Sequence, residues 1–146
     1  MNTDVAAQKA LDRLAKVGFE KLAEDEKILA AVWTFESQVA NRGLERYYTG
    51  SSGDMAFYVP TAFKAIGALQ KARISTQANE VFGAGGPPGD RKTRRDRVRA
   101  LGAEATRLFD ALEREFYESP EDADDLLERY LNKKPSSGEE SCASSP

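Results

Sequence analysis

Between Asp90 and Glu118 the apolar residues Val98, Leu101, Ala105, Leu108, Phe109, Leu112 and Phe116 recur at steps of three and four, while Arg107, Asp110, Arg114 and Glu118 fall between them. At 100° per residue the first set shares one face and the second lies opposite it, which predicts one long amphipathic helix that Gly102 weakens without breaking. No stretch of the chain alternates apolar and polar residues for long enough to make a half-buried strand. The chain is therefore expected to be all-α, an orthogonal array or bundle of about six or seven helices in a single domain over residues 1–131.

Helix punctuation elsewhere supports this. Thr3 or Asp4 can cap a helix running to Val17, with Val5, Leu11, Leu14 and Val17 near one face. A second, from Ala23 to Ala40, has Glu24, Asp25 and Glu26 in its first turn, where the macrodipole favours carboxylates, and a stripe of Ile28, Leu29, Val32, Trp33 and Val39. Asn41 and Gly43 suit its exit. Leu44–Tyr48 makes one turn, and Ser51 or Ser52 can cap a helix carrying Met55, Val59, Ala62, Phe63 and Ile66, with Pro60 as a kink or restart. Gly67 separates it from a helix over Leu69–Phe82. "GAGGPPGD", 83–90, is a loop ending in Asp90 as an N-cap. Ser119, Pro120, Glu121 and Asp122 open a last helix that buries Leu126, Leu127, Tyr130 and Leu131. Residues 132–146, polar and poor in apolar side chains, read as a disordered tail.

Several functions are disfavoured by what the chain contains. At 146 residues it has room for one cored domain, and 40% hydrophobic with 31% charged residues suits a water-soluble protein. Its apolar runs are far below the roughly 20 residues of a membrane span, and an acid stands where a secretory leader has basic residues, so a cytoplasmic location is expected. The single cysteine, Cys142, can form no internal disulfide and stands one position out for a prenylation box. There is no histidine, hence no activator for Ser51 or Ser52, and nothing places Glu113 and Glu115 in a cleft for acid–base work. The expectation is a non-enzyme with no cofactor and no metal; "EDADD" lacks the glycine and oxygen spacing of a calcium loop.

Three features carry possible binding. Neither "GSSGD" nor "GAGGPPGDRK" has the Walker spacing, although either could hold an anion at a helix N-terminus. Residues 91–99 contain six basic residues and one acid, a possible phosphate-binding run, but the chain is at −3 overall and the run has no aromatics for base stacking. Arg91 and Arg94 fall on or beside the apolar stripe of that helix. An inward Arg94 needs a partner, and Glu36, in phase with Val32 and Val39, is the expected one. Last, ten acids and three arginines lie between Glu104 and Arg129. Glu113, Glu115, Glu118, Glu121, Asp122, Asp124, Asp125 and Glu128 are candidates for an acidic surface that meets a basic partner, beside the plainer reading of a solvated helix face.

The segments "WTFESQVANRGLERYYTGSSGD", "AFKAIGALQKARISTQANEVF", "LFDALEREFYESPED" and "LLERYL", spread over residues 24–131, resemble the family typified by the bacterial DNA-mimic protein that binds a helix-turn-helix repressor. Arg42 and Leu44 depart from that pattern. The resemblance implies an all-helical fold, a homodimer, and a basic DNA-binding protein as partner, blocked by acids presented as DNA presents phosphates. An immunity or antitoxin-like inhibitor of a basic nuclease is a variant of that reading; direct nucleic-acid binding through 91–99 is the alternative. The shared motif residues Asn41, Gly43, Tyr47, Tyr48, Ser51, Ser52, Gly53 and Asp54 are expected to act mainly in the fold, with exposed tyrosines as a second possibility, since aromatics are enriched at interfaces.

Overall fold

The structure, a computed structural model, describes residues 3–133. These form eight α-helices and two 3-10 turns, with no strand among the described residues. In chain order they are α1 (Thr3–Val17), a 3-10 turn (Phe19–Lys21), α2 (Glu24–Arg42), α3 (Leu44–Thr49), a 3-10 turn (Ser51–Met55), α4 (Val59–Ala65), α5 (Leu69–Glu80), α6 (Arg91–Leu101), α7 (Ala103–Glu118) and α8 (Ala123–Lys133). Asn132 and Lys133, expected in the tail, close α8; the rest of that tail and Cys142 lie outside the described residues.

α2 is the central element and packs against α1, α3, α4 and α8. It buries Ile28, Leu29, Ala30, Ala31, Val32, Thr34, Phe35 and Val39, more of its circumference than a single stripe, because neighbours cover several of its sides. Ala23 has no side-chain acceptor, so only the reciprocal half of a capping box forms at its start: Glu26 Oε1 accepts from the Ala23 N–H at 2.8 Å. Phe35 anchors the core, edge-on to Tyr47, Phe63 and Phe116 with ring centroids at 4.9, 5.6 and 5.7 Å. From Tyr47 the aromatic series continues to Tyr48 and on to Phe82 and Phe109.

Four expectations change. The helix over 90–118 is two helices, since Gly102, at φ 58° and ψ −131°, takes a backbone conformation open essentially to glycine alone. The break lets α6 pack on α3 while α7 lies against α5 and α3; it leaves Leu101 at the surface. On α1 the buried residues are Thr3, Ala7 and Ala10, whereas Val5 and Val17 are exposed. Small side chains there permit a close approach to α2 that valines would hold apart. The helix expected to start from Ser51 or Ser52 is a 3-10 turn followed by α4, and of the two roles expected of Pro60 it is the restart that occurs, in the first turn of α4, where no N–H is needed. Finally, α8 begins at Ala123, and Asp122 Oδ1 caps it by accepting from the Asp125 N–H at 3.1 Å.

Candidate functional site: an arginine centre and an acidic helix face

α3 is only six residues long, so its last carbonyls have few partners within the helix. They are collected from outside. Ser52 Oγ donates to Tyr47 O at 2.8 Å and Arg94 Nε to Tyr48 O at 2.7 Å. Arg94 comes from α6, is fully buried, and uses all five of its N–H donors: Nη1 reaches Pro88 O and Gly89 O, each at 3.0 Å, and Nη2 reaches Gly50 O at 3.0 Å and Asp54 Oδ1 at 2.6 Å. Asp54 Oδ2 accepts from Arg91 at 3.1 Å. One guanidinium thus joins the 83–90 loop, the end of α3 and the turn after it. Gly53 makes room, because a methyl group on its Cα would stand 2.9 Å from Tyr48 O and 3.0 Å from Arg94 Nε.

The motif residues therefore sit around Arg94. Gly43, at φ 89°, ends α2 and opens α3. Asn41 lies exposed in the last turn of α2, and Ser51 is exposed at the start of the 3-10 turn. Neither serine caps a helix through its side chain, since Ser52 serves as a donor to a carbonyl instead. Tyr47 and Tyr48 are both fully buried, as a role in the fold requires and against the second possibility of exposed tyrosines: Phe35 covers Tyr47, and Phe82 and Phe109 of α7 cover Tyr48. Burial lifts both phenols well above the usual tyrosine range. Tyr48 Oη donates to Asn79 Oδ1 at 2.6 Å, whereas Tyr47 Oη is buried with no hydrogen-bond partner among the described residues. Tyr48→Phe is expected to cost about 1–2 kcal/mol, and Tyr47→Phe to be neutral or stabilising by up to about 1 kcal/mol, in urea unfolding. Equal losses would show that Tyr47 has a partner after all.

The expected Glu36–Arg94 pair does not form. Arg94 turns to Asp54, and Glu36 Oε2 accepts from Lys71 Nζ at 2.8 Å. Lys71, on α5, is buried, with Nζ 4.5 Å from the centre of the Phe116 ring. Helix periodicity correctly turned Glu36 toward other helices but could not tell α5 from α6. Burial raises the Glu36 carboxyl above the ordinary carboxylate range, and the charges of Asp122 and Asp124 add to this against the pull of Lys71. The native chain therefore takes up this proton before the unfolded chain does, so the stability from this group is present at low pH and lost as pH rises through its native value. Relative to Glu36→Gln, the parent is expected to gain stability as pH falls from neutral toward the ordinary carboxylate range in paired urea titrations. A pH-independent difference would mean that Glu36 stays ionised throughout.

The eight candidate acids divide by geometry. Glu113 points inward and accepts from the Leu44 N–H, and Glu121 accepts from the N–H groups of Gln70 and Lys71, each at 2.8 Å, so these two cap α3 and α5 from a distance in sequence. Such long-range caps leave no local signature. Asp122 caps α8, Asp124 accepts from Thr3 Oγ1, Asp125 pairs with Arg129 at 3.0 Å, and Glu115 lies 3.5 Å from Arg73. Glu118 and Glu128 are exposed and meet no cation among the described residues. The basic run is also largely engaged. Besides Arg91 and Arg94, Lys92 pairs with Asp96 at 3.1 Å, Arg99 lies 3.8 Å from the same carboxylate, and Arg97 donates to Phe82 O at 2.9 Å. No helix is long and apolar enough to cross a membrane among the described residues.

The family model described as DMP19-like protein matches residues 20–134. No curated protein and no solved structure is matched.

Proposed function

Since the chain belongs to the DMP19-like protein family, we propose that it is a non-enzymatic interaction module that binds and inhibits a basic DNA-binding protein. The observation that carries this reading is the family match, which spans α2 to α8, the helices on which the acids lie. On this reading the contact surface is the exposed part of the acidic set, Glu118, Asp122, Asp124, Asp125 and Glu128, from the end of α7 through α8. Carboxylates held on short, capped helices are preorganised, and they attract a cationic surface at a distance set by ionic strength. Glu113 and Glu121 support this surface from beneath by holding α3 and α5 in place. The working species is taken to be a cytoplasmic homodimer.

The test is capture from native lysate at low salt, with DNase added to one half, using the parent and a Glu118→Lys/Glu128→Lys variant. A DNA-binding protein recovered equally with and without DNase, released by salt and lost with the variant, is the expected result. Recovery that vanishes with DNase, or that the variant retains in full, would overturn the proposal. Analytical ultracentrifugation of the free protein is expected to show a dimer.

A further inference from the structure

Beside the Arg94 centre, with which it shares Gly50 and Asp54, an open cleft of about 730 Å³ is lined by α1, the end of α2, α3, the 3-10 turn at 51–55 and Arg91 of α6. Its lining is of two kinds. Leu11 of α1 and Met55 supply apolar wall, while Arg42, Arg46, Arg91 and Ser51 supply donors. Gly43 makes this possible: its positive φ turns the chain between α2 and α3 so that Arg42 and Arg46 line one cleft although they belong to different helices. Asp54 is the one acid in the lining, and both its oxygens are already held, Oδ1 by Arg94 and Oδ2 by Arg91. Arg42 and Arg46 meet no carboxylate among the described residues. In a chain of net charge −3, three guanidiniums thus share a cleft whose single carboxylate is already taken.

Like charges held together in a concave site raise the local affinity for an anion, and a guanidinium fork matches the oxygens of phosphate in a bidentate manner. The volume lies within the roughly 300–1,000 Å³ typical of small-molecule sites. We propose that this cleft binds a small organic phosphate, its phosphate monoester head on Arg42, Arg46 and Arg91 and its apolar or ring body against Leu11 and Met55. Ser51 Oγ, exposed at the edge of the lining, is a further donor to the head group. None of the acids of α7 and α8 lines this cleft, so the site stands independently of the proposed protein partner.

Phenyl phosphate is a suitable probe, with inorganic phosphate and phenol as its two halves, followed by amide chemical shifts of the full chain. Saturable shifts centred on Arg46 and Ser51 are expected, with phenyl phosphate bound about tenfold more tightly than inorganic phosphate because the ring buries apolar surface. The Arg42→Gln/Arg46→Gln variant is expected to weaken phenyl phosphate binding at least about tenfold. Arg107→Gln, which removes a surface arginine paired with Glu104, is expected to leave it unchanged. Neither Arg42 nor Arg46 has an ion-pair partner to lose, and an unchanged melting temperature checks that the double variant is folded. The proposal is overturned by an absence of saturable shifts, by shifts that survive the double variant, or by phenyl phosphate binding no tighter than inorganic phosphate.

Discussion

Arg94→Ala is expected to destabilise the chain by about 3–5 kcal/mol, the range for removing one partner of a buried, hydrogen-bonded charge. The loss has two sources. Four carbonyl oxygens, of Tyr48, Gly50, Pro88 and Gly89, lose their buried donor, and Asp54 keeps only its exposed partner Arg91. Lysine does not rescue, because one ammonium with three donors cannot serve five acceptors in a planar fork. Arg94→Lys is therefore expected to retain little of the lost stability, whereas Arg95→Ala, on the exposed side of the same helix, should change it by no more than about 0.5 kcal/mol. Urea unfolding of the three variants decides. If Arg94→Ala lost less than about 1 kcal/mol, the loop, α3 and the turn after it would have to hold together without the guanidinium.

Phe35→Ala is expected to cost about 3–5 kcal/mol by the same measurement, the usual range for emptying a buried phenylalanine site. Phe35 is 1% exposed and meets a ring from each of α3, α4 and α7. A cavity there cannot be closed by moving one helix, since each neighbour is also held by other contacts. Trp33, two residues earlier on α2, is half-buried and donates from Nε1 to Asp4 at 3.3 Å; its replacement by alanine is expected to cost less. The reverse order would put the centre of the core on the α1 and α8 side of α2. Because α3 and α7 meet at this point, softening it should also loosen the helices that carry the acids.

The helices were legible because their signals are local. Asp90 was expected to cap α6, and its carboxylate does accept from the Thr93 N–H at 2.8 Å. Gly43 and the 83–90 loop likewise follow from what glycine and proline allow. Boundaries fail where the local rule is permissive: Gly102 is tolerated in a helix at about 1 kcal/mol, so its local sequence does not reveal a break that separates α6, packed on α3, from α7, packed on α5. Periodicity puts Trp33 in the α2 stripe and leaves out Phe35, although Phe35 is the more deeply buried, because a helix surrounded by neighbours has no single apolar stripe.

The candidate residues show the same division. The phase of Arg94 turns it inward, yet the same phase argument points it to Glu36 and not to Asp54, since phase reports a direction and never the helix that lies there. Eight acids were equivalent as charges in the sequence; the fold turned Glu113 and Glu121 into caps for distant helices and left Glu118 and Glu128 at the surface. What the sequence by itself determined is the all-α class, most helix starts and stops, and the burial of one arginine, all consequences of backbone propensity and period within a dozen residues. The tertiary structure alone decided that Asp54 answers Arg94, that Lys71 answers Glu36, and that Arg42 and Arg46 come to share a cleft. Those outcomes depend on crossing geometry between helices, which period and propensity do not encode.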